Sequence, residues 1–317
     1  TLRPNAAWAG FRAGQFVRLG VEINGVRRTR TYSPACSEHG SDGALEFTVA
    51  RHQPGLVSGH LNTQLRPGAI LHLGAAAGEF VLPEPRPERL LLISGGSGVT
   101  PVMSILRTLS DEGHDGQVAF LHYGRTSADW LYRPQAQALA ASHPSLDVQY
   151  HATREHGAGG GARDAGARAR REARLSAAIH AMIGEPAGAW VAACGPPSLI
   201  GGVRSIWART DDGAGRVLAE TFAPPALTLT GDGATGTLRL LRSERSAAIG
   251  SGTLLEQVES AGLSPAFGCR MGICHTCTCR KASGSVRNVL TGEVSGVEDE
   301  DIQLCVSVPA GDVALEI

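Results

Sequence analysis

The chain has 317 residues, 42% of them hydrophobic and 19% charged, with a formal net charge of -1. That length supports two or three domains, each with its own core. The near-zero charge disfavours a general polyanion binder such as a nucleic-acid protein, and no apolar stretch reaches the ~18 residues a membrane-spanning helix needs.

Thr1 falls inside what reads as the end of a strand, so a strand is expected before it, and the N-terminus lacks a charged-then-apolar leader pattern. Residues 15–23, 45–50 and 70–73 are β-like runs between Gly, Pro, Ser and Asp breaks, which predicts a small antiparallel barrel over 1–85. The Pro-rich stretch 82–87 fits neither a helix nor a central strand and reads as a linker. From 86 to 223 strands and helices alternate. Strands are expected at 90–94, 118–123, 147–152 and, as the last, 189–193; helices are expected at 101–112, 135–142, 175–183 and 197–209. That alternation predicts a doubly wound parallel sheet. Residues 156–171 interrupt it with Gly, Ala and Arg, and a mobile loop is expected there. A break at 223–225 opens a last domain, 226–317, with one helix at 253–261.

The cysteines are unevenly placed. Cys36 and Cys194 stand alone, while Cys269, Cys274, Cys277, Cys279 and Cys305 crowd the end of the chain. An odd, clustered set argues for reduced thiols and a metal site, and hence for a cytoplasmic protein. Cys269, Cys274 and Cys277, with Cys305 far downstream, form C-x4-C-x2-C…C, the plant-type [2Fe–2S] spacing. Gly268 and Gly272 let this loop bend and turn amides toward the sulfurs. The bland alternative is a four-thiolate zinc site, but zinc sites usually pair two short C-x(2–4)-C units, and Cys305 stands alone. Cys279 has no fifth place in such a cluster and is read as a packed thiol, as is Cys36.

Three further motifs bear on chemistry. Gly95, Gly96 and Gly98 follow a buried strand and open a helix at Thr100 and Pro101, a turn that brings backbone N–H groups up to a pyrophosphate. Thr100 suits an N-cap and Pro101 the first helical position. Cys194-Gly195-Pro196 ends a parallel strand, where ligands of such sheets bind. Arg30-Thr31-Tyr32-Ser33 closes a strand, and Gly55-Leu56-Val57-Ser58 starts a short helix.

In this order the motifs resemble bacterial ferredoxin–NAD(P)H reductases with a fused plant-type ferredoxin module, the reductase partners of acyl-CoA desaturases and of oxygenases. The resemblance implies a multidomain fold: an antiparallel β-barrel flavin domain, an α/β doubly wound NAD(P) domain and an α+β β-grasp ferredoxin domain. It implies that Arg30, beside Thr31, pairs with the flavin pyrophosphate, a task suited to a guanidinium. Tyr32 would stack on the isoalloxazine and Ser33 would hydrogen-bond N5. Gly55, Val57 and Ser58 would hold phosphate, and Val49 and Arg51 would line the flavin. Thr100 would lie near the flavin, and Cys194, with Gly195 and Pro196, would orient the nicotinamide. FAD is implied over FMN. Arg125, Arg154 and Arg174 are similar to arginines that hold a 2′-phosphate, and no carboxylate follows the second parallel strand before Asp129, so NADPH is expected over NADH.

The expected function is electron transfer from NAD(P)H through flavin to the cluster, with Ser33, Thr100 and Cys194 around the hydride. A protein acceptor such as a desaturase, an oxygenase or a cytochrome P450 is expected, without membrane insertion, though a partner could recruit the chain to a membrane. The rivals are a flavin and iron–sulfur redox sensor without turnover, and a structural zinc module on a nucleotide-binding domain. The acidic run 298–301 is either a steering patch for a basic partner or a solvated face.

Overall fold

Continuous apolar runs such as Leu90 to Ile93 belong to strands buried on both faces, and such strands form a five-stranded parallel sheet. The computed structural model describes the chain except residues 24, 41–42, 52–55, 155–164, 223–234, 269, 271 and 273–274. Two compact units divide it, Thr1–Arg28 with Tyr32–Phe222, and Thr29–Thr31 with Ala223–Ile317.

The first unit begins with strands β1 (Val17–Ile23) and β2 (Val26–Tyr32), helix α1 (Leu56–Thr63) and a short β3 (His72–Leu73). They form a sheet of order β2-β1-β3, with β1 antiparallel to β3, extended by bridges at Leu2↔Leu45 and Phe16↔Ala77. The strand expected at 45–50 shrinks to the bridge at Leu45. The Glu46 backbone bonds instead to the segment after Ser33: its carbonyl accepts from Ala35 N at 2.8 Å, and its N–H donates to Cys36 Sγ at 3.4 Å.

The parallel sheet follows: β4 (Arg89–Gly95), α2 (Val99–Asp111), β5 (Gln117–Gly124), α3 (Arg133–Ser142), β6 (Leu146–Ala152), α4 (Ala165–Ile183), β7 (Trp190–Cys194), α5 (Pro197–Trp207) and β8 (Val217–Glu220). Strand order is β6-β5-β4-β7-β8. Leu90 and Leu92 face a core with Val102, Met103 and Leu106 of α2; Leu91 and Ile93 face one with Ile179 of α4 and Val203 of α5. Two expectations are corrected. The last parallel strand is β8, a four-residue strand after α5, not the strand at 189–193. Helix α4 starts at Ala165 and not at 175, because Ala, Arg and Glu propagate a helix readily, so residues 165–171 are no loop. Residues 156–164 of the expected loop lie outside the described residues.

His122 of β5 is fully buried, with Nδ1 2.8 Å from Ser94 Oγ of β4. Burial pushes the imidazole down to about 4 from an ordinary 6.5. The sign follows. The neutral ring supports the fold fully above pH 6.5, and that support is lost as the pH falls toward 4, where the unfolded chain takes up the proton first. Roughly 3 kcal/mol is at stake. Urea midpoints between pH 7 and pH 4 should therefore fall less steeply for His122→Gln than for the wild-type protein.

The second unit holds β9 (Thr237–Leu240), β10 (Arg245–Ala248), α6 (Leu254–Ser260), β11 (Thr278–Asn288), β12 (Val294–Ser295), β13 (Glu300–Gln303) and β14 (Ser307–Leu315). Sheet order is β10-β9-β14-β11-β12, with β13 also on β11. The β9–β14 pair is parallel and its neighbours antiparallel. Helix α6 is capped reciprocally by Thr253 and Glu256 and buries Leu254, Leu255 and Val258 against the sheet. The acidic run is largely matched from within. Arg280 reaches Asp299 at 2.7 Å and Asp301 at 3.6 Å, and the fully buried Lys281 reaches Glu300 at 3.0 Å. No helix among the described residues is long and apolar enough to cross a membrane.

Candidate active site and cluster loop

In the order β6-β5-β4-β7-β8, the chain leaves β4 toward β5 on one side and enters β7 on the other, so the loops after β4 and β7 flank the switch point of the sheet. They touch backbone to backbone. A Cβ on Gly98 would lie 2.2 Å from the Cys194 carbonyl oxygen, and one on Gly195 would lie 3.0 Å from Gly95 N. Gly96 holds a φ of +57° in the turn. Because Gly98 docks so closely, α2 starts at Val99 after a 3₁₀ turn at Gly96–Gly98, with Gly98 at the cap. Thr100 is therefore not the N-cap but lies within the first turn, where its Oγ1 donates to Ser97 O at 3.2 Å, and Pro101 is the third helical residue. No side chain caps this N-terminus, so its amides fit a phosphate.

One polar row crosses the sheet at this level. Tyr150, His122, Ser94, Cys194 and Glu220 are register partners on consecutive strands. Cys194 is fully buried and its Sγ donates toward Glu220 Oε2 at 3.9 Å. Burial, and then the Glu220 charge, raise the thiol well above its usual value, so Cys194 stays a neutral donor. Pro196, beside it, is exposed. Sequence reasoning missed Glu220. Its signal was an acid ending the apolar run Val217 to Ala219.

On the barrel side, Ser33 is 3% exposed and its Oγ has no hydrogen-bond partner among the described residues. A buried unsatisfied hydroxyl is costly unless a ligand completes it, and a flavin edge would do so. Val57 and Ser58 lie buried in the first turn of α1; Gly55 lies outside the described residues. Asn62, also missed, donates to both Ser58 O (2.8 Å) and Val49 O (3.2 Å), which joins two expected flavin contacts. Tyr32 is half-buried and Arg51 exposed. Arg30 donates to Thr29 O at 2.8 Å, and Arg30 and Thr31 group with the second unit.

Arg125 and Arg154 meet at the ends of β5 and β6, where Arg154 N donates to Arg125 O at 2.9 Å. Both are exposed, and Arg125 pairs with Asp129 at 3.6 Å. Arg174, next to the helix start expected at 175, lies inside α4. It sits nine residues beyond Ala165 in α4, about 14 Å along the axis.

In the second unit Cys277 precedes β11 and Cys305 lies in a 3₁₀ turn between β13 and β14, both buried. Leu304 N donates to Cys277 O at 3.2 Å, which brings the two together. Gly272 N donates to Cys305 Sγ at 3.3 Å, an amide aimed at a sulfur as an anionic cluster needs. Gly272 has a φ of +78°, and a Cβ there would lie 2.8 Å from Leu290. Cys269 and Cys274 lie outside the described residues. Cys279 packs half-buried against the core.

Comparison with known proteins follows this layout. Residues 1–82 match an oxidoreductase FAD-binding domain, 92–205 an oxidoreductase NAD-binding domain, and 240–310 a 2Fe-2S iron-sulfur cluster binding domain. A protein of Mycobacterium tuberculosis named NADPH oxidoreductase is 34% identical over 97% of this chain and 77% of its own length. The glycine betaine monooxygenase reductase subunit of Chromohalobacter salexigens is 27% identical over 96% and 87%. Phthalate dioxygenase reductase, described as a modular structure for electron transfer from pyridine nucleotides to [2Fe–2S], superposes with a TM-score of 0.61 at 23% identity, over 98% of this chain and 90% of that one. A bound flavin accepts a hydride and releases electrons one at a time, which a [2Fe–2S] cluster takes singly. The chain therefore belongs to the ferredoxin–NAD(P)H reductase family with a fused C-terminal ferredoxin domain, as an NAD(P)H-dependent oxidoreductase that passes electrons through FAD to a [2Fe–2S] cluster.

Proposed function

We propose that the chain is an NADPH-preferring reductase component that delivers single electrons to an oxygenase-type acceptor. The names of two relatives, an NADPH oxidoreductase and a monooxygenase reductase subunit, support this reading. A desaturase or a cytochrome P450 would accept the same single electrons. Domains spanning 1–85, 86–223 and 226–317 carry flavin, NADPH and cluster in turn. Ser33 faces flavin N5, Thr100 and Cys194 flank the nicotinamide, and Glu220 keeps the Cys194 thiol oriented. Cys269, Cys274, Cys277 and Cys305 hold the cluster.

The preference for NADPH rests on the paired ends of β5 and β6, where exposed Arg125 and Arg154 share a backbone hydrogen bond. Two guanidiniums there suit a 2′-phosphate dianion. Arg125→Ala should raise the Michaelis constant for NADPH roughly ten-fold, the worth of one charge-assisted hydrogen bond. The constant for NADH should barely move. A wild-type enzyme with the higher kcat/KM for NADH would contradict the reading whatever the variant did.

A further inference from the structure

Side chains of one helix, α2, hold the carbonyls of the segment after Ser33. Ser104 Oγ of α2 donates to Cys36 O at 2.7 Å, and Arg107 Nη1 donates to Ala35 O at 2.7 Å and to Glu46 Oε2 at 3.0 Å. Thr108 Oγ1 accepts from Glu38 N at 3.1 Å. Ser104, Arg107 and Thr108 stand three and four residues apart, hence on one face of the helix. Ser104 is fully buried, and Arg107 also lies 5.3 Å from the Tyr132 ring centroid. Consecutive carbonyls thus depend on helix side chains and not on a strand ladder. The same helix begins at the Gly98 contact with Cys194. Its far end is tied independently, by Arg86 to Glu112 at 2.6 Å and to Glu38 at 3.7 Å. Losing the near contacts would therefore tilt the segment without undocking it.

We propose that Ser104 and Arg107 are positioning residues for hydride transfer. They hold the Ala35 and Cys36 carbonyls and so fix Ser33, on the flavin side, relative to Thr100 and Cys194 on the nicotinamide side. The inference rests on the hydride-site reading above. In the step concerned, one proton with two electrons leaves nicotinamide C4 and bonds to flavin N5, giving NADP⁺ and two-electron-reduced flavin. Small offsets in such a transfer are costly: a misplacement of about 1 Å can cost about 10²-fold.

The test uses the full chain with Ser104→Ala, Arg107→Met, Arg107→Lys, Ser33→Ala and Arg86→Met. Four quantities are read: flavin occupancy, NADP⁺ affinity by difference absorbance, hydrogen exchange over residues 33–38, and the rate constant of flavin reduction at saturating NADPH. Ser104→Ala and Arg107→Met should slow reduction by about ten-fold or more. Exchange over 33–38 should quicken, while flavin content and NADP⁺ affinity stay near wild type. Arg107→Lys should restore most of the rate, and Arg86→Met should leave it unchanged. Should Ser104→Ala fail to hold flavin, Arg107→Lys against Arg107→Met decides the question. If Ser33→Ala slows reduction but the Ser104 and Arg107 variants do not, the positioning role is overturned alone. If Arg86→Met slows it as much as they do, the contacts are general docking and the role is again overturned. If Ser33→Ala alters neither the flavin spectrum nor the rate, the hydride-site reading itself falls.

Discussion

Cys305→Ser is expected to abolish the visible iron–sulfur absorbance while leaving a full complement of flavin. A hydroxyl is a poor ligand for iron in a thiolate site. The position is also buried at 4% exposure, inside the core formed by Leu304, Val306 and Cys277, so no other side chain can swing in to replace the sulfur. The Gly272 N–H that meets Cys305 Sγ at 3.3 Å would lose its sulfur acceptor, which loosens the loop further. The flavin and nucleotide elements belong to the other compact unit, apart from Arg30 and Thr31, so NADPH-driven ferricyanide reduction should survive. Reduction of cytochrome c, a one-electron protein acceptor, should fall to a small residue. Cys279→Ser should keep the cluster bands, because Cys279 pairs in register with Ile302 and its thiol turns toward Arg280 O at 3.5 Å. The opposite pattern, cluster lost with Cys279 and kept with Cys305, would overturn the ligand assignment.

Gly98→Ala should nearly stop NADPH-driven flavin reduction. The added methyl would sit 2.2 Å from the Cys194 carbonyl oxygen, 2.5 Å from its carbon and 2.9 Å from Gly195 N. All three are backbone atoms, so no side chain can turn aside, and the loops after β4 and β7 must part. That parting displaces the first turn of α2 and the Cys194 thiol together, and a loss of about 10²-fold in the rate constant is expected. Dithionite, which needs no nucleotide site, should reduce the flavin of the variant as in wild type. Gly201 of α5 supplies the contrast. Nothing lies within 4 Å of a Cβ there, so Gly201→Ala should leave the rate alone and stabilise the helix by about 1 kcal/mol. Stopped-flow absorbance of both variants checks the pair. An unslowed Gly98→Ala enzyme would show that the contact between these loops does not govern nucleotide use.

The features legible in the sequence were those whose residues lie close together along the chain. The C-x4-C-x2-C spacing and the Gly95 to Gly98 turn are local patterns, and each carries its chemistry in a short run. Features set by contacts across the chain were not legible. The row from Tyr150 through Ser94 to Glu220 depends on the register of five strands, and strand β8 is only four residues long, too short for a periodic signal. Thr100 looked like a cap, yet the close approach of Gly98 to Cys194 moved the helix start two residues earlier. Residues 165–171 were misread for a related reason. Gly and Arg suggested a loop, but the Ala and Arg of that stretch continue the helix that buries Leu175 and Ile179. The strand expected at 45–50 gave way because Glu46 spends its backbone bonds on Ala35 and Cys36.

The most direct test of the account is an anaerobic titration of the purified protein with NADPH, followed by absorbance and electron paramagnetic resonance together. Flavin absorbance should bleach on NADPH addition, and a paramagnetic signal of a reduced [2Fe–2S] centre should grow with it. In Cys305→Ser the flavin should bleach without that signal. A protein that shows no flavin or iron–sulfur absorbance, or whose cluster signal never appears while its flavin is fully reduced, would contradict the route from NAD(P)H through flavin to the cluster.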